Sequence, residues 1–128
     1  VHGDFTRSTC RQCGHGVVTR SLAKQVAARE VPRCACGGVY KPDITFFGEM
    51  LPAAVWQAAV GAMARADLIL VLGTSLAVQP AAALPAYRRT SAAVVVVNRD
   101  PTWLDVEADL VLCDPVEEVL AAVDRCLS

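Results

Sequence analysis

The rhythm of apolar and polar positions changes along the chain, and the change predicts two differently built parts. Up to about Tyr40 the residues are polar and follow no sustained period; from Lys41 onward, short apolar blocks alternate with polar turns. After Pro52, the positions Val55, Trp56, Ala59, Val60 and Met63 recur at helical spacing and predict an amphipathic helix ending near Ala66. Asp67 then opens the run Leu68-Ile69-Leu70-Val71-Leu72, closed by Gly73, which reads as a parallel strand covered on both faces. Pro80 suits the first turn of a further helix running through the alanines toward Arg88 and Arg89. A second buried strand is expected over Ala93 to Val97 and a short third one over Asp109 to Leu112. The last helix carries Val116, Val119, Leu120, Val123 and Leu127 on one side, with Glu117 and Glu118 near its start and Arg125 near its end, as the helix dipole favours. Strands alternating with helices predict an α/β class built on a parallel sheet.

The cysteines change the picture of the first part. Cys10 and Cys13 form a Cys-x2-Cys pair and Cys34 and Cys36 a Cys-x-Cys pair, a layout that brings four thiolates to one point, as a tetrahedral structural zinc requires. Glycines follow each pair, Gly14 and Gly16 after the first and Gly37 and Gly38 after the second, and permit the turns that aim backbone amides at sulfur. The single spacer Ala35 demands a tighter turn than the usual two. Two disulfides are the competing use of these cysteines; nothing like a secretory leader opens the chain, so a reduced, cytoplasmic setting is the expectation. Residues 1–40 are accordingly expected to be a zinc-ribbon module. Cys126 is expected to be a buried free thiol on the last helix, and Cys113 lies at a strand end.

Composition adds exclusions. With 54% hydrophobic residues and a mean hydropathy of +0.39, the chain has ample material for a core. Twelve basic residues against thirteen acidic ones leave no electrostatic footprint for nucleic acid. No apolar run reaches the length of a membrane-spanning helix, so no membrane partner is expected.

Candidate chemistry gathers where ligands bind in open parallel sheets, beyond the carboxyl ends of the strands. Gly73-Thr74-Ser75, Asn98-Arg99-Asp100 and Cys113-Asp114 all fall there. Gly73 lets a ligand approach the backbone, the hydroxyls of Thr74 and Ser75 suit phosphate or ribose, and Asn98 and Asp100 suit sugar hydroxyls. The usual Gly-x-Gly-x-x-Gly dinucleotide fingerprint is missing. The stretch from Lys41 to Glu49 ends an apolar segment at a polar corner, Phe46-Phe47-Gly48-Glu49, where the default reading makes both phenylalanines core.

These motifs, in this order, resemble the sirtuins, NAD-dependent protein lysine deacylases. The resemblance is carried by the cysteines with Cys36-Gly37-Gly38, Lys41-Pro42-Asp43-Ile44, Phe47-Gly48-Glu49, Leu51-Pro52, Ala66-Asp67, Gly73-Thr74-Ser75-Leu76, Val78, Pro80, Asn98 and Ala108-Asp109. It implies a fold made of the second half of a Rossmann-like parallel sheet with helices on both faces, residues 41–128, beside the zinc-ribbon module. It also implies that Cys10, Cys13, Cys34 and Cys36 hold Zn2+ away from the chemistry. NAD+ would be met by Thr74 and Ser75 at its phosphate and ribose, Asn98 to Asp100 on the adenosine side, and Cys113 with Asp114 at the adenine edge. Phe47-Gly48-Glu49 and Leu76 to Val78 would flank an acylated-lysine peptide added as a strand. Val78 would wall the acyl-lysine tunnel, and Thr45, where the family usually has valine, would offer its backbone carbonyl.

The resemblance also marks what this stretch of sequence lacks. The family's Gly-Ala-Gly loop, its Gln-Asn-Ile-Asp segment and the Leu-His motif with the catalytic base are not among these residues. His2 matches a later, non-catalytic histidine, and His15 belongs to the cysteine module. No catalytic residue is therefore assigned, and a missing general base alone costs about a hundred- to ten-thousand-fold in rate. The chain by itself is expected to be inactive. A non-catalytic zinc protein that docks on a partner, or associates through an uncovered sheet edge, is the alternative.

Overall fold

In the computed structural model, which describes residues 1–128, the cysteine-rich part is built on an antiparallel sheet of β1 (Gly3–Cys10), β2 (Gly16–Val18) and β3 (Tyr40–Ile44), in the order β2-β1-β3. The first cysteine pair makes the turn between β1 and β2. The Gly14 N–H donates to the Cys10 carbonyl (3.0 Å) and the Cys10 N–H to the His15 carbonyl (2.9 Å), with Gly14 in the left-handed region at φ +74°. The second pair closes on itself through Ala35: the Gly37 N–H reaches the Cys34 carbonyl (2.8 Å) and the Cys34 N–H the Gly38 carbonyl (2.8 Å). That is the tight turn the single spacer demands. β3 returns along β1 with Cys10 opposite Tyr40 and Gly3 opposite Ile44, the register slipping between Gly3 and Ser8. Gly3 has φ +76°, and a Cβ there would collide with the Asp43 carbonyl, so only glycine fits. Between β2 and the second cysteine pair lie a 3₁₀ turn, Thr19–Leu22, and a one-turn helix α1 (Ala23–Ala27). Only Ser8, Cys10 and Gly38 are buried in this unit. The Ser8 hydroxyl bonds that of Thr19 at 2.8 Å. So little apolar burial cannot hold such a unit together unaided.

The division into compact units falls after Pro52, giving Val1–Pro52 and Ala53–Ser128. Composition changes near Tyr40, but the β3 ladder ties residues 40–44 to β1.

The second unit carries a parallel sheet in the order β4 (Leu68–Leu72), β5 (Ala93–Val97), β6 (Leu110–Leu112), with α2 (Ala53–Arg65) and α3 (Val116–Leu127). The register runs from Leu68 opposite Ala93 to Leu72 opposite Val97, then Val95 to Val97 opposite Leu110 to Leu112. Alternate residues point to opposite faces, and one face makes the core: Ile69, Val71, Val94 and Val96, joined by Ala92 and by Leu104 from the connection after β5. Met63 and Ala66 at the end of α2 pack on it. Asp109 turns its carboxylate onto the Val94 N–H (2.7 Å) and so precedes β6, which begins one residue later than the sequence pattern predicts.

Three expectations change. β4 is not covered on both faces: Leu68 is 50% and Leu70 53% exposed, although Val97 beside its far end is buried. The segment after Pro80 is a 3₁₀ helix, Ala81–Tyr87, rather than an α-helix reaching Arg89. Pro85 lies inside it and lacks the N–H that an α-helical bond to Ala81 would need. Trp56 of α2 meets Tyr87 at its end, edge to face, with centroids 6.0 Å apart. Cys126 is exposed rather than buried, since no residue of α3 is buried and the helix leaves much of its apolar stripe open.

Candidate metal centre and ligand edges

The two turns of the first unit place four sulfurs together. Cys10 Sγ lies 3.6 Å from Cys36 Sγ and Cys13 Sγ 3.7 Å from Cys34 Sγ, and all four fall within 4.8 Å of one another. Four thiolates at about 2.3 Å from a tetrahedral zinc stand about 3.8 Å apart, so these sulfurs match a zinc cage. They are far outside disulfide distance. Backbone N–H groups reinforce the cage. Those of Cys13 and Gln12 bond Cys10 and hold its thiol below the ordinary 9.0. The Cys36 N–H, with the Tyr40 hydroxyl second, brings Cys34 down to about 6. The Gly38 N–H favours the Cys36 thiolate, yet the neighbouring sulfurs of Cys13 and Cys10 outweigh it and push Cys36 up to about 12. Negative charge thus accumulates until a sulfur resists ionising, the electrostatic problem that a divalent cation resolves. Gly38 is required: a Cβ there would stand 2.6 Å from Cys10 Sγ. His15 packs edgewise on Tyr40, centroids 6.3 Å apart, and contributes no atom to the sulfur cluster.

The sheet of the second unit lines up the three polar segments. The Gly73 N–H bonds the Val97 carbonyl (2.9 Å) and the Asn98 N–H the Leu112 carbonyl (3.0 Å), so the loops after β4, β5 and β6 leave one sheet edge side by side. Gly73 has φ +57°. Thr74 Oγ1 accepts the Leu76 N–H (3.2 Å), which leaves its hydroxyl proton free for a ligand. Ser75, Arg99, Asp100, Cys113 and Asp114 are exposed, and the Asn98 amide donates one N–H to the Asp100 carbonyl (2.7 Å), keeping its second N–H and its Oδ1 for a ligand. Leu76, at φ +50°, packs its side chain on the core, so only its backbone is available at that edge; Val78 is half exposed.

In the first unit, the segment after β3 is a turn rather than core. Phe47 and Met50 are each 94% exposed, against the default expectation for an apolar run. The Glu49 N–H donates to the Phe46 carbonyl (3.0 Å), and Gly48 at φ +85° takes the turn position that needs a left-handed residue. Glu49 Oε2 accepts the Phe46 N–H at 2.9 Å, and Lys41 Nζ lies 2.9 Å from the same oxygen. Thr45 donates its N–H to the His2 carbonyl (2.8 Å), while no backbone N–H donates to its own carbonyl. Lys41, which the sequence offers only as the first residue of Lys41-Pro42-Asp43-Ile44, has no role assigned there. Its signal was a lysine eight positions before a glutamate, with a glycine turn between them.

The Phe46 N–H first, and Lys41 second, hold Glu49 below the ordinary 4.5, with Arg11 adding a smaller pull. A depressed carboxylate contributes order that is complete above 4.5 and lost as pH falls through the lowered folded value. The Phe46 amide shift is therefore expected to move with the Glu49 carboxyl in an NMR titration. An amide indifferent to that titration would contradict the contact.

A model of the Sir2 family matches residues 1–80. The chain is 39% identical, over 99% of its length, to an NAD-dependent protein deacetylase of Cutibacterium acnes, covering 50% of that protein. It is 37% identical over 94% of its length to an NAD-dependent protein deacylase of Mycobacterium tuberculosis, covering 52% of it. Among solved structures, a Sir2 complex with a p53 peptide and NAD+ superposes with a TM-score of 0.91 at 34% identity, over all of this chain and 55% of that one. Sir2Tm bound to a propionylated peptide gives 0.89 at 35% identity, over 96% of this chain and 53% of that one. The chain spans about half the length of the relatives it matches.

Proposed function

The chain belongs to the Sir2 family, and on that premise we propose that it is the zinc-module and second-half-sheet portion of an NAD-dependent protein lysine deacylase, inactive by itself. The observation that carries the reading is the single sheet edge where the loops after β4, β5 and β6 emerge together, the crevice position of an open parallel sheet. Zinc at Cys10, Cys13, Cys34 and Cys36 is structural, since four sulfur ligands leave no open position for substrate. Gly73 admits the cofactor to the backbone, the free protons of Thr74 and Ser75 serve phosphate and ribose, Asn98 with Arg99 and Asp100 serves the adenosine sugar, and Cys113 with Asp114 meets the adenine. What NAD+ supplies in the family reaction is the ribose carbon that accepts the acyl oxygen. The unpaired Thr45 carbonyl suits the acyl-lysine amide, and the backbones of Phe47 to Glu49 and of Leu76 to Val78 offer bonds to an extended peptide. No helix is long and apolar enough to cross a membrane, and thiols kept reduced for a metal suit a cytoplasmic setting.

Without a pyrophosphate-cradling loop the crevice is half built. Isothermal titration of the chain with NAD+ is expected to show no binding tighter than millimolar, and micromolar affinity would refute the incomplete-crevice reading. The open face of β4 favours a second reading, a non-catalytic docking protein. The coding sequence upstream of Val1 separates the two: an in-frame Gly-Ala-Gly loop and Leu-His motif select the enzyme, and a stop followed by a start codon selects the docking protein.

A further inference from the structure

Lys41 makes more contacts than its place in a short strand requires. Its ammonium donates to the Ile44 carbonyl at 2.5 Å, pairs with Glu49 Oε2 at 2.9 Å and sits 4.6 Å from the centre of the Phe46 ring. The side chain is 21% exposed, and that of Glu49 37%. Three donors on one ammonium therefore grip the end of β3, the last residue of the turn and the ring of its first residue together. Glu49 completes the arrangement by accepting the Phe46 N–H, so the turn is bonded across in both directions, backbone to backbone and backbone to carboxylate. Phe47 and Met50 stand outside this network, almost wholly exposed.

We propose that Lys41 is a positioning residue for peptide recognition: it fixes the Phe46–Glu49 turn so that Phe47, Met50 and the backbone beside them face a peptide, and it occupies Glu49 so that the carboxylate does not recruit basic side chains. Both clauses rest on the peptide-edge reading given above where they concern a peptide; the fastening of the turn by Lys41 stands on the geometry alone. The chemistry follows from valence and charge. A carboxylate that already holds an N–H and an ammonium has little field left for another cation. With Lys41 neutral, that field is released, and the edge gains an attraction for lysine or arginine in the peptide that it otherwise lacks.

The test uses the 128-residue chain with zinc bound, in three forms: unaltered, Lys41→Met and Lys41→Arg. Amide exchange by NMR is expected to show the Phe46 N–H exchanging roughly three- to tenfold faster in Lys41→Met and near the unaltered rate in Lys41→Arg, which keeps a cation. The β1 to β3 amides report that each variant is folded; Thr9, opposite Lys41, is the local control. Equal Phe46 exchange in the unaltered chain and Lys41→Met would overturn the positioning role. Two acetyl-lysine peptides, one flanked by leucines and one by arginines, are then titrated into each form. Stronger binding of the arginine peptide by Lys41→Met alone is expected, and an unchanged preference would overturn the masking of Glu49. If neither peptide shifts residues 45–50 of the unaltered chain, the peptide edge and both peptide clauses fall together, while the exchange result still decides whether Lys41 fastens the turn.

Discussion

Withdrawing zinc from this chain with a strong chelator, or replacing Cys34 by alanine, is expected to unfold residues 1–52 and leave the parallel sheet of the second unit standing. The first unit buries little beyond Ser8, Cys10 and Gly38, and its helix α1 is a single turn. Structural zinc in small ribbons contributes about 10 to 16 kcal/mol of apparent binding free energy, comparable with the 5 to 15 kcal/mol stability of a whole domain. Both turns that shape the sheet exist to present sulfur, so losing the metal releases the β1–β2 hairpin and the Arg33–Val39 bridge together. Gly38→Ala is expected to act the same way more mildly, since its new methyl would displace Cys10 Sγ. Metal analysis with amide exchange read separately over 1–52 and 53–128 measures the effect. A chain that purifies without stoichiometric zinc and keeps protected β1 and β3 amides would contradict it.

Leu104→Ala is expected to cost about 2 to 5 kcal/mol and to unfold the second unit well below the temperature at which the unaltered chain melts. Leu104 is fully buried, although it comes from the connection after β5 and not from a strand or helix. It seals the face of the sheet that carries Val94 and Val96. A small unit whose β4 lies open on its other side has little apolar burial to spare, so the same cavity takes a larger share of its stability. Thermal denaturation followed by tryptophan fluorescence reports this, because Trp56 and Trp103 both lie in this unit. A loss under about 1 kcal/mol, the scale of a surface change, would mean that Leu104 does not close the core.

What could be read from the sequence was whatever depends on near neighbours. β4 and β5 fall where five-residue apolar runs are bounded by Asp, Gly and Asn, and α2 and α3 follow their helical spacing. The zinc cage was legible because cysteine spacing alone constrains where sulfurs meet. β1 was not, because Gly-Asp-Phe-Thr-Arg-Ser-Thr-Cys has no period, and its pairing is imposed by β3, about thirty residues away. The 3₁₀ segment failed for the opposite reason: the alanines speak for a helix, and one buried proline overrules them. Cys126 and Leu68 show the limit of reading burial from hydrophobicity, which says that a side chain prefers cover and not whether this stretch of polypeptide provides it. The turn at Phe46 to Glu49 was visible as a corner, but the lysine that fastens it acts across eight residues and leaves no periodic trace.

One consequence follows from Gly3 lying opposite Ile44. The backbone enters the cysteine module and departs from it about 5 Å apart, one strand spacing. A segment whose two ends meet behaves as a cassette, since splicing it out asks only for a short bridge and splicing it into a foreign host strains nothing at the junction. The metal-holding block is in this sense portable, and residues 3–44 are the unit in which to transplant it.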